Sequence, residues 1–336
     1  MTGGSLAGCS DAARRLGGGG SERWTFSADA SVKSAPTVAD GAVYVGSDDE
    51  RLYAIDAEDG AEQWSEMLLG GVSSEPAVAD STVYVSDGTK VTAIEAGGGR
   101  KLWSALVEEE VHASPVVADG TVYVGSNDGD VYALDADGGA ERWTFETGDP
   151  VAVSPAVAGN TVFAGNEGGT VYAIDAMEGT ERWTFQTDGP VESSPAVAND
   201  TVYVGSDDEH VYALDTAAGT EQWAFRTGAE VRSSPAVADG TVYAGSNDDN
   251  VYAVDAGEGT EQWRFETNGA VVSSPAVADG TVYVGNHDGF VHALDAGDGT
   301  RRWAFQTRKR VESSPTVADD TVYVGSDDER LYALSV

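Results

Sequence analysis

The sequence is poor in cysteine, in lysine and in long apolar runs. Cys9 is the single cysteine, so no disulfide can form within the chain. Only four lysines occur, and 57 acidic residues outnumber 19 basic ones, for a net charge of −38. That charge disfavours nucleic acid and anionic lipid as partners. No stretch approaches the ~20 apolar residues of a membrane-spanning helix.

The acidic excess predicts a protein adapted to high salt. Self-repulsion of this kind destabilises a compact chain in dilute buffer, and salt screens it over about 10 Å or less. A lysine-poor, acidic surface is typical of haloarchaeal proteins, so we expect a high-salt cytosol or exterior. Disorder is the alternative interpretation of high charge, but 41% apolar residues in a regular pattern argue against it.

The tryptophans reveal an internal repeat. Successive tryptophans are 40, 39, 40, 40, 40, 40 and 40 residues apart, and none lies outside the series. A constant period of this length indicates stacked supersecondary units. The eight positions are Trp24, Trp64, Trp103, Trp143, Trp183, Trp223, Trp263 and Trp303.

One unit, residues 191–227, predicts four short strands. The sequence favours strands at 191–198, 201–204, 211–215 and 221–226, which are rich in β-branched and aromatic residues. Asn199-Asp200 and the Asp-Gly pairs of sister units are signals for two-residue hairpin turns. Four antiparallel strands in about 40 residues form one blade of a β-propeller.

The two ends of the chain complement each other. Seven full units begin at Val32 and recur to Val271, whereas the last unit, 311–336, has only three strands. The missing fourth strand is supplied by residues 22–26, which closes the ring and removes exposed sheet edges. We therefore predict an all-β, eight-bladed propeller that occupies residues 21–336 as one domain.

Residues 1–20 do not match the repeat and are interpreted as a flexible leader. Leu6-Ala7-Gly8-Cys9 resembles the lipobox of bacterial and archaeal lipoproteins, in which the cysteine is lipid-modified. The resemblance implies lipid attachment at Cys9 and an extracytoplasmic protein held at the membrane by lipid. Only eight residues precede Cys9, too few for a signal peptide, so the start at Met1 would lie inside a longer signal. If Met1 is the true start, the alternatives are a chance cysteine and a cytoplasmic protein.

The third and fourth strands carry a motif, Ala-x-Asp-x3-Gly-x3-Trp. It is seen at Ala173, Asp175, Gly179 and Trp183, and again forty residues later with Asp215 and Trp223. This resembles the tryptophan-docking motif of pyrroloquinoline quinone (PQQ) type propeller repeats, over residues 22–336. The resemblance implies that the tryptophan packs between neighbouring blades and that the aspartates, such as Asp175 and Asp215, hold the turn.

The same resemblance points to two functions. Quinoprotein dehydrogenases of this fold bind PQQ and calcium, but they are similar to one another in long insertions and often a Cys-Cys pair, which this chain lacks. The other branch resembles BamB, a lipid-anchored eight-bladed scaffold. The sequence therefore favours a non-enzymatic, surface-anchored scaffold that binds a protein or peptide as a monomer without a cofactor. The alternative is a PQQ- and calcium-binding oxidoreductase or a redox-associated subunit.

The residue after the first valine of each unit varies most among the copies. It lies at the start of the innermost strand, near one mouth of the central channel, and a ring of mixed charge there would bind a peptide or small ligand. The alternative is a solvated rim. The candidate binding residues at this position are Lys33, His112, Glu192, Arg232 and Glu312.

Three weaker features remain. His287 and His292, five residues apart, suggest a metal site, but no third ligand is evident. Acidic turns such as Asp207-Asp208 would attract calcium weakly, although turn formation explains them. The clusters at 108–110 (acidic) and 308–310 (basic) are either complementary patches for a partner or local charge balance.

Overall fold

A computed structural model describes residues 19–336, so Cys9 and the predicted leader up to residue 18 lie outside the described residues, whereas Gly19 and Gly20 belong to the propeller. The described residues form 32 β-strands in eight four-stranded antiparallel sheets. None of them forms a helix long and apolar enough to cross a membrane. The predicted all-β, eight-bladed propeller is confirmed.

We number the blades I to VIII and the strands β1 to β32 in chain order. Blades I to IV are β2 (Thr37–Ala39), β3 (Ala42–Ser47), β4 (Arg51–Asp56), β5 (Glu62–Met67); β6 (Ala77–Ala79), β7 (Thr82–Asp87), β8 (Lys90–Glu95), β9 (Lys101–Leu106); β10 (Val116–Ala118), β11 (Thr121–Gly125), β12 (Asp130–Asp135), β13 (Glu141–Glu146); and β14 (Ala156–Ala158), β15 (Thr161–Gly165), β16 (Thr170–Asp175), β17 (Glu181–Gln186). Blades V to VIII are β18 (Ala196–Ala198), β19 (Thr201–Gly205), β20 (His210–Asp215), β21 (Glu221–Arg226); β22 (Ala236–Ala238), β23 (Thr241–Gly245), β24 (Asn250–Asp255), β25 (Glu261–Glu266); β26 (Ala276–Ala278), β27 (Thr281–Gly285), β28 (Phe290–Asp295), β29 (Arg301–Gln306); and β30 (Thr316–Ala318), β31 (Thr321–Ser326), β32 (Arg330–Ser335) with β1 (Glu22–Ser27).

The first strand of each blade lies next to the first strands of both neighbouring blades. These eight short strands therefore surround the propeller axis, and the fourth strands form the outer edges. The turn between first and second strands is as the sequence predicts. In blade V, Asn199 and Asp200 have φ of 49° and 62°, the positive values of a type I′ hairpin turn.

The first strand is shorter than predicted, which is a correction to the sequence analysis. In blade V it spans Ala196–Ala198, whereas the sequence favoured 191–198. The Ser193 hydroxyl accepts the Gly205 N–H at 2.6 Å and donates to the Gly205 carbonyl at 3.0 Å. These two bonds replace the backbone hydrogen bonds that a longer first strand would make to Gly205. Pro195 has no N–H to donate. The segment before the strand instead reaches the preceding blade, where Val191 N–H bonds to the Asn166 carbonyl.

Neighbouring blades are joined through one backbone carbonyl. In blade V the indole Nε1 of Trp223 donates to the Ala256 carbonyl of blade VI at 2.9 Å, and the Tyr203 hydroxyl donates to the same oxygen at 3.4 Å. The two rings pack with centroids 5.8 Å apart, and Trp223 is buried. We call this arrangement the interblade clamp. Seven tryptophans make the same bond across seven blade junctions.

The glycine of the motif is required by the clamp. Gly219 has φ of +66°, and a Cβ built on it would lie 2.5 Å from Cδ2 of Trp183 in the preceding blade. Glycine is therefore needed here for two reasons: the backbone is left-handed, and the indole ring leaves no room for a Cβ. The same juxtaposition recurs at the other tryptophans.

The aspartate of the motif caps the turn that carries this glycine. Asp215 Oδ1 accepts the N–H groups of Ala217 at 2.9 Å and Ala218 at 2.8 Å. Asp175 makes the corresponding bonds, and Arg182 adds a 2.7 Å bond to its Oδ2. The Arg182 hydrogen bond, with the turn N–H groups, lowers the pKa of Asp175 to about 2.

The ring closes where the chain ends meet. β1 pairs antiparallel with β32, and Gly20 N–H bonds to the Ser335 carbonyl while Ser335 N–H bonds to the Ser21 carbonyl. These bonds match those of Gly60, Asp56 and Ala61 in the unbroken turn of blade I. Gly19 and Gly20 lie against the Trp303 ring, so the two chain ends together rebuild the motif's turn.

Replacement of Gly219 by alanine tests the clamp. We expect Gly219→Ala to lower the free energy of unfolding by about 2–4 kcal/mol, because strain in φ adds to overpacking against Trp183. Gly240→Ala is the matched control: its φ is +78°, yet nothing lies within 4 Å of a Cβ there, so a loss of about 1 kcal/mol is expected. Denaturant unfolding at high salt measures both. Equal losses would show that the indole contact is not what demands glycine.

Truncation tests ring closure. Removal of residues 1–27 takes away β1, exposes the edge of β32 and removes the Trp24 bond to Ala57 at the junction of blades VIII and I. We expect self-association and a lower unfolding midpoint. Light scattering after size-exclusion chromatography measures this, with a truncation of residues 1–18 as control. A stable, monomeric protein lacking residues 1–27 would refute closure by β1.

Candidate binding surface at the channel mouth

The five predicted mouth residues lie in the connections that precede the first strands, each three residues before a proline. They are therefore not in the strands themselves. The structure places them in three groups with different partners: Glu192 with Arg232, Lys33 beside Glu312, and His112 alone.

Arg232 joins two neighbouring blades. Its guanidinium lies 3.1 Å from the carboxylate of Glu192 and donates to Asp207 at 2.8 Å. Burial and the nearby Asp207 charge raise the pKa of Glu192, while hydrogen bonding to Asp207 raises the pKa of Arg232. The group is thus a compact network of one cation and two carboxylates.

A second group spans blades VIII and I. Lys33 Nζ lies 3.3 Å from Asp48, and Glu312 lies 3.4 Å from His287 Nε2 and 3.7 Å from Arg310. Burial alone would lower the pKa of Lys33, but Asp48, with smaller contributions from Glu312 and Asp327, outweighs it and raises that pKa. Mixed charge at this mouth is therefore mostly paired within the protein.

His112 and the basic cluster at 308–310 have fewer ion-pair partners. His112 lies 3.4 Å from Glu110 of its own connection and makes no other ion pair among the described residues. Lys309 of the basic cluster lies 3.8 Å from Glu329, so part of that cluster balances local acidic residues.

Below the mouth, hydroxyl groups link the blades around the channel. The residue before the proline is serine in six units, and each of these six Oγ atoms accepts the backbone N–H of the equivalent residue in the preceding blade at 2.8–3.1 Å. The chain of bonds begins at Glu75 and proceeds through Ser114, Ser154, Ser194, Ser234, Ser274 and Ser314. Each Oγ accepts a bond there, and its O–H is left to donate elsewhere.

Glu75 breaks this pattern, and the sequence analysis missed it. Where six units have serine and one has Ala35, blade II has a carboxylate. The Glu75 side chain is in contact with solvent, but the protein around it partly desolvates the carboxylate. This desolvation raises the pKa of Glu75 to about 7, and a weak hydrogen bond from the Thr37 hydroxyl lowers it only slightly. Comparison of the copies at the position before proline would have singled it out.

The two histidines proposed as metal ligands have separate environments. His292 is buried between Phe265 and Phe290, and burial lowers its pKa to about 4. His287 contacts Glu312 instead. Within residues 19–336, no three His, Cys, Asp or Glu side chains are grouped so as to hold a metal ion.

The fold and its repeat define the class as an eight-bladed propeller of PQQ-type repeats. A family model described as "Outer membrane protein assembly factor BamB" matches residues 17–70, 65–154, 127–256 and 247–336. These overlapping matches span nearly the whole chain, so the chain belongs to this family. No match to a curated protein sequence was found.

Solved structures share the fold at low sequence identity. BamB from Moraxella catarrhalis has a TM-score of 0.82 and 19% identity, covering 94% of this chain and 99% of that one. The computationally designed Ika8 protein has a TM-score of 0.84 and 18% identity, covering 92% and 98%. A quinohemoprotein alcohol dehydrogenase from Pseudomonas putida HK5 has a TM-score of 0.80 and 16% identity, covering 94% of this chain but 76% of that one.

The channel-mouth carboxylates have partners within the protein, which disfavours a calcium site among them. Calcium prefers six to eight oxygen ligands from several carboxylates and carbonyls. The mouth carboxylates of Glu192, Asp207, Asp48 and Glu312 instead face arginine, lysine or histidine side chains within 4 Å. A calcium ion at the mouth would have to compete with these contacts.

Glu75 predicts a pH dependence of stability. Its pKa is about 7 in the folded protein and ordinarily 4.5, so the stability it contributes is full below pH 4.5 and is lost as the pH rises through 7. Glu75→Gln should therefore match the wild type at pH 4.5 and have a higher unfolding midpoint at pH 8. Ser234→Ala, at the equivalent position of blade VI and without contact to Glu75, is the control. A constant difference between Glu75→Gln and wild type across pH 4.5–8 would contradict the shift.

Proposed function

We propose that the protein is a non-enzymatic propeller scaffold that binds a protein or peptide partner at the cell surface, held there through lipid on Cys9. The observation that carries this proposal is the uninterrupted ring. From β1 to β32 the chain consists of strands and short connections. The longest connections, such as 187–195, lead from one blade to the next, so no insertion interrupts the ring. The ring presents a broad, rigid surface, and its side chains at the mouth are engaged with one another.

Membership of a family described as an outer membrane protein assembly factor supports a scaffold role. The fold match to BamB of Moraxella catarrhalis covers 94% of this chain and 99% of that one. The net charge of −38 supports a high-salt setting, as in haloarchaea, where counterions screen the repulsion. On this proposal the protein acts as a monomer and needs no cofactor.

The second candidate is a PQQ- and calcium-dependent oxidoreductase or a subunit associated with one. Its support is the fold match to a quinohemoprotein alcohol dehydrogenase, which has about a quarter of its length outside the match. The ion pairs at the mouth of this chain weigh against it, because PQQ and calcium would have to displace them.

Cofactor titration separates the two functions. We expect purified protein mixed with PQQ and calcium at high salt to show no saturable spectral change and no dye reduction with alcohols or sugars. A quinoprotein dehydrogenase assayed in parallel controls for active cofactor. Stoichiometric PQQ binding with substrate-dependent dye reduction would overturn the scaffold proposal.

Capture tests the scaffold directly. The native protein should retain at least one partner from a surface extract at high salt. The variant that lacks residues 1–27, in which the ring is open, should retain none. Mass spectrometry of the lipid-modified N-terminal peptide tests attachment at Cys9 separately.

A further inference from the structure

One carboxylate interrupts the ring of hydroxyl groups around the channel. At the position before the proline, six blades have serine and blade I has Ala35, whereas blade II has Glu75. The first strands that follow this position contact one another in a closed ring, and each is an end strand of its sheet. Glu75 is thus the one ionisable side chain at this position of the repeat, and it lies at the innermost wall of the propeller.

The carboxylate of Glu75 is directed toward blade I. Each serine of the ring accepts the backbone N–H of the equivalent residue in the preceding blade, so its side chain reaches back across that junction. Glu75 does the same, because its Oε1 lies 3.4 Å from the hydroxyl of Thr37 in blade I. Thr37 has a closer acceptor in the Pro76 carbonyl at 2.5 Å, and a hydroxyl carries a single proton. Glu75 therefore receives only a weak bond from Thr37.

No cation of the protein compensates the charge of Glu75. Among residues 19–336, no lysine, arginine or histidine forms an ion pair with this carboxylate. Lys33, in the connection before β2 of blade I, lies 3.3 Å from Asp48 instead. The surrounding protein desolvates Glu75 without supplying a positive charge, and this desolvation raises its pKa. A carboxylate in that setting is stabilised by a cation from outside the chain.

The mouth of the channel has no cation to spare. Lys33 and Arg232 are already paired with carboxylates. Glu167 and Asp327 lie in turns between second and third strands, on the face where the mouth opens, and neither forms an ion pair within residues 19–336. An entering ligand therefore meets an excess of negative charge, which disfavours anions and favours cations.

The channel gives a slender ligand access to Glu75. Every residue of the eight first strands is partly exposed, and because these strands are innermost, the solvent that reaches them lies in the channel. Glu75 itself is exposed. It follows Ser73, which has the mouth position in blade II, by two residues, so it lies at most about 7 Å along the chain from the mouth.

A primary ammonium group suits this site better than a metal ion. Calcium requires six to eight oxygen ligands, and no three His, Cys, Asp or Glu side chains are grouped to hold a metal within residues 19–336. An ammonium group carries one positive charge and three N–H donors, and it needs acceptors only. Glu75 supplies two carboxylate oxygens. Thr37 Oγ1 supplies free lone pairs, because its proton is directed at Pro76.

We propose that a primary ammonium group binds in the channel between Glu75 and Thr37, where it donates to the carboxylate and to the threonine hydroxyl oxygen. The group is carried by a free polyamine or by a lysine side chain of a protein that enters from the mouth. The site goes beyond the proposed scaffold function. Only in the second case does it rest on that function, because the lysine then belongs to the partner that the scaffold binds.

Titration calorimetry with purified full-length protein at pH 8 tests the site. The salt is tetramethylammonium chloride, whose cation screens charge but has no N–H to donate. The probes are spermidine, a short blocked peptide with one lysine among glycines and serines, and the same peptide with Nε-acetyllysine. We expect saturable binding of spermidine or of the lysine peptide, and none of the acetylated peptide. Whichever amine binds more tightly identifies the source of the ammonium group.

Three results of this titration would overturn the proposal. The first is binding of neither amine, and the second is equal binding of the lysine peptide and its acetylated form. The third is loss of binding when potassium chloride replaces the tetramethylammonium salt, because the occupant would then be an alkali ion.

Variants taken from sister blades localise the binding. Glu75→Ser installs the serine of six other blades and Thr37→Ala the alanine of five. We expect Glu75→Ser to weaken binding about tenfold or more and Thr37→Ala severalfold. Thr316→Ala is the matched control, since Thr316 makes the same bond to the Pro36 carbonyl with no carboxylate beside it. Glu258→Gln removes an equal charge from an exposed turn, and both controls should bind as the wild type does. Undiminished binding by Glu75→Ser, or equal weakening by Thr316→Ala, would refute the site.

A second readout separates binding from folding. Saturating spermidine should raise the unfolding midpoint of the wild type at pH 8 and leave that of Glu75→Ser unchanged, because a ligand stabilises only the protein that binds it. An equal rise in both would place the ammonium group elsewhere and overturn the proposal. Failure of the scaffold function is distinguishable. A wild type that captures no surface partner can still bind spermidine, and a wild type that binds neither amine can still capture partners.

Discussion

The carbonyl that accepts both the tryptophan and the tyrosine of the preceding blade is the contact on which the ring depends. A backbone oxygen has two lone pairs, and Ala256 uses both for donors that arrive from one neighbouring sheet. Because the two rings also bury apolar area against each other, hydrogen bonding and packing fix the same relative placement of blades. A glycine lets the accepting turn approach the indole ring, and an aspartate caps this turn in most units, although blade II keeps the clamp with Glu95. Both donors reach the carbonyl at six of the eight junctions, whereas at junction IV/V Phe163 has no hydroxyl and only Trp183 donates.

The position of this contact leaves two regions free to vary. The clamp lies at the turn between third and fourth strands, whereas the mouth residues lie in the connections before the first strands. The last residues of the fourth strands, such as Met67 and Leu106, lie at the end away from the clamp. Blade II illustrates the separation. It keeps the clamp through Tyr84 and Trp103, yet has lost on both of its junctions the outer pair of aromatic rings that Phe225 and Tyr252 form elsewhere. Loss of those pairs is tolerated because the clamp already holds the blade.

The fold could be predicted almost completely from the tryptophan spacing, because period, strand pattern and complementary chain ends are all local features of the sequence. The length of the first strand could not, since the Ser193 hydroxyl replaces the ladder only once Gly205 is beside it. The channel-mouth candidates could be located, but not their pairing, because Arg232 meets Glu192 across two blades. Glu75 owes its raised pKa to protein on all sides of the channel, which no single unit contains.

High salt changes which of the two variable regions suits a partner. At ionic strengths near 1 M the screening length is about 3 Å, so charges at a distance neither attract nor steer a ligand. The mouth offers mostly charges, and most of these are satisfied within the protein, so a ligand there must first break ion pairs. The outer surface of blades I and II offers exposed aliphatic area, which salt does not screen, and cations that act only at contact. Exposed aliphatic side chains such as Leu69 and Leu106 keep their contribution to binding at such ionic strengths, because the burial of apolar area is not screened by salt.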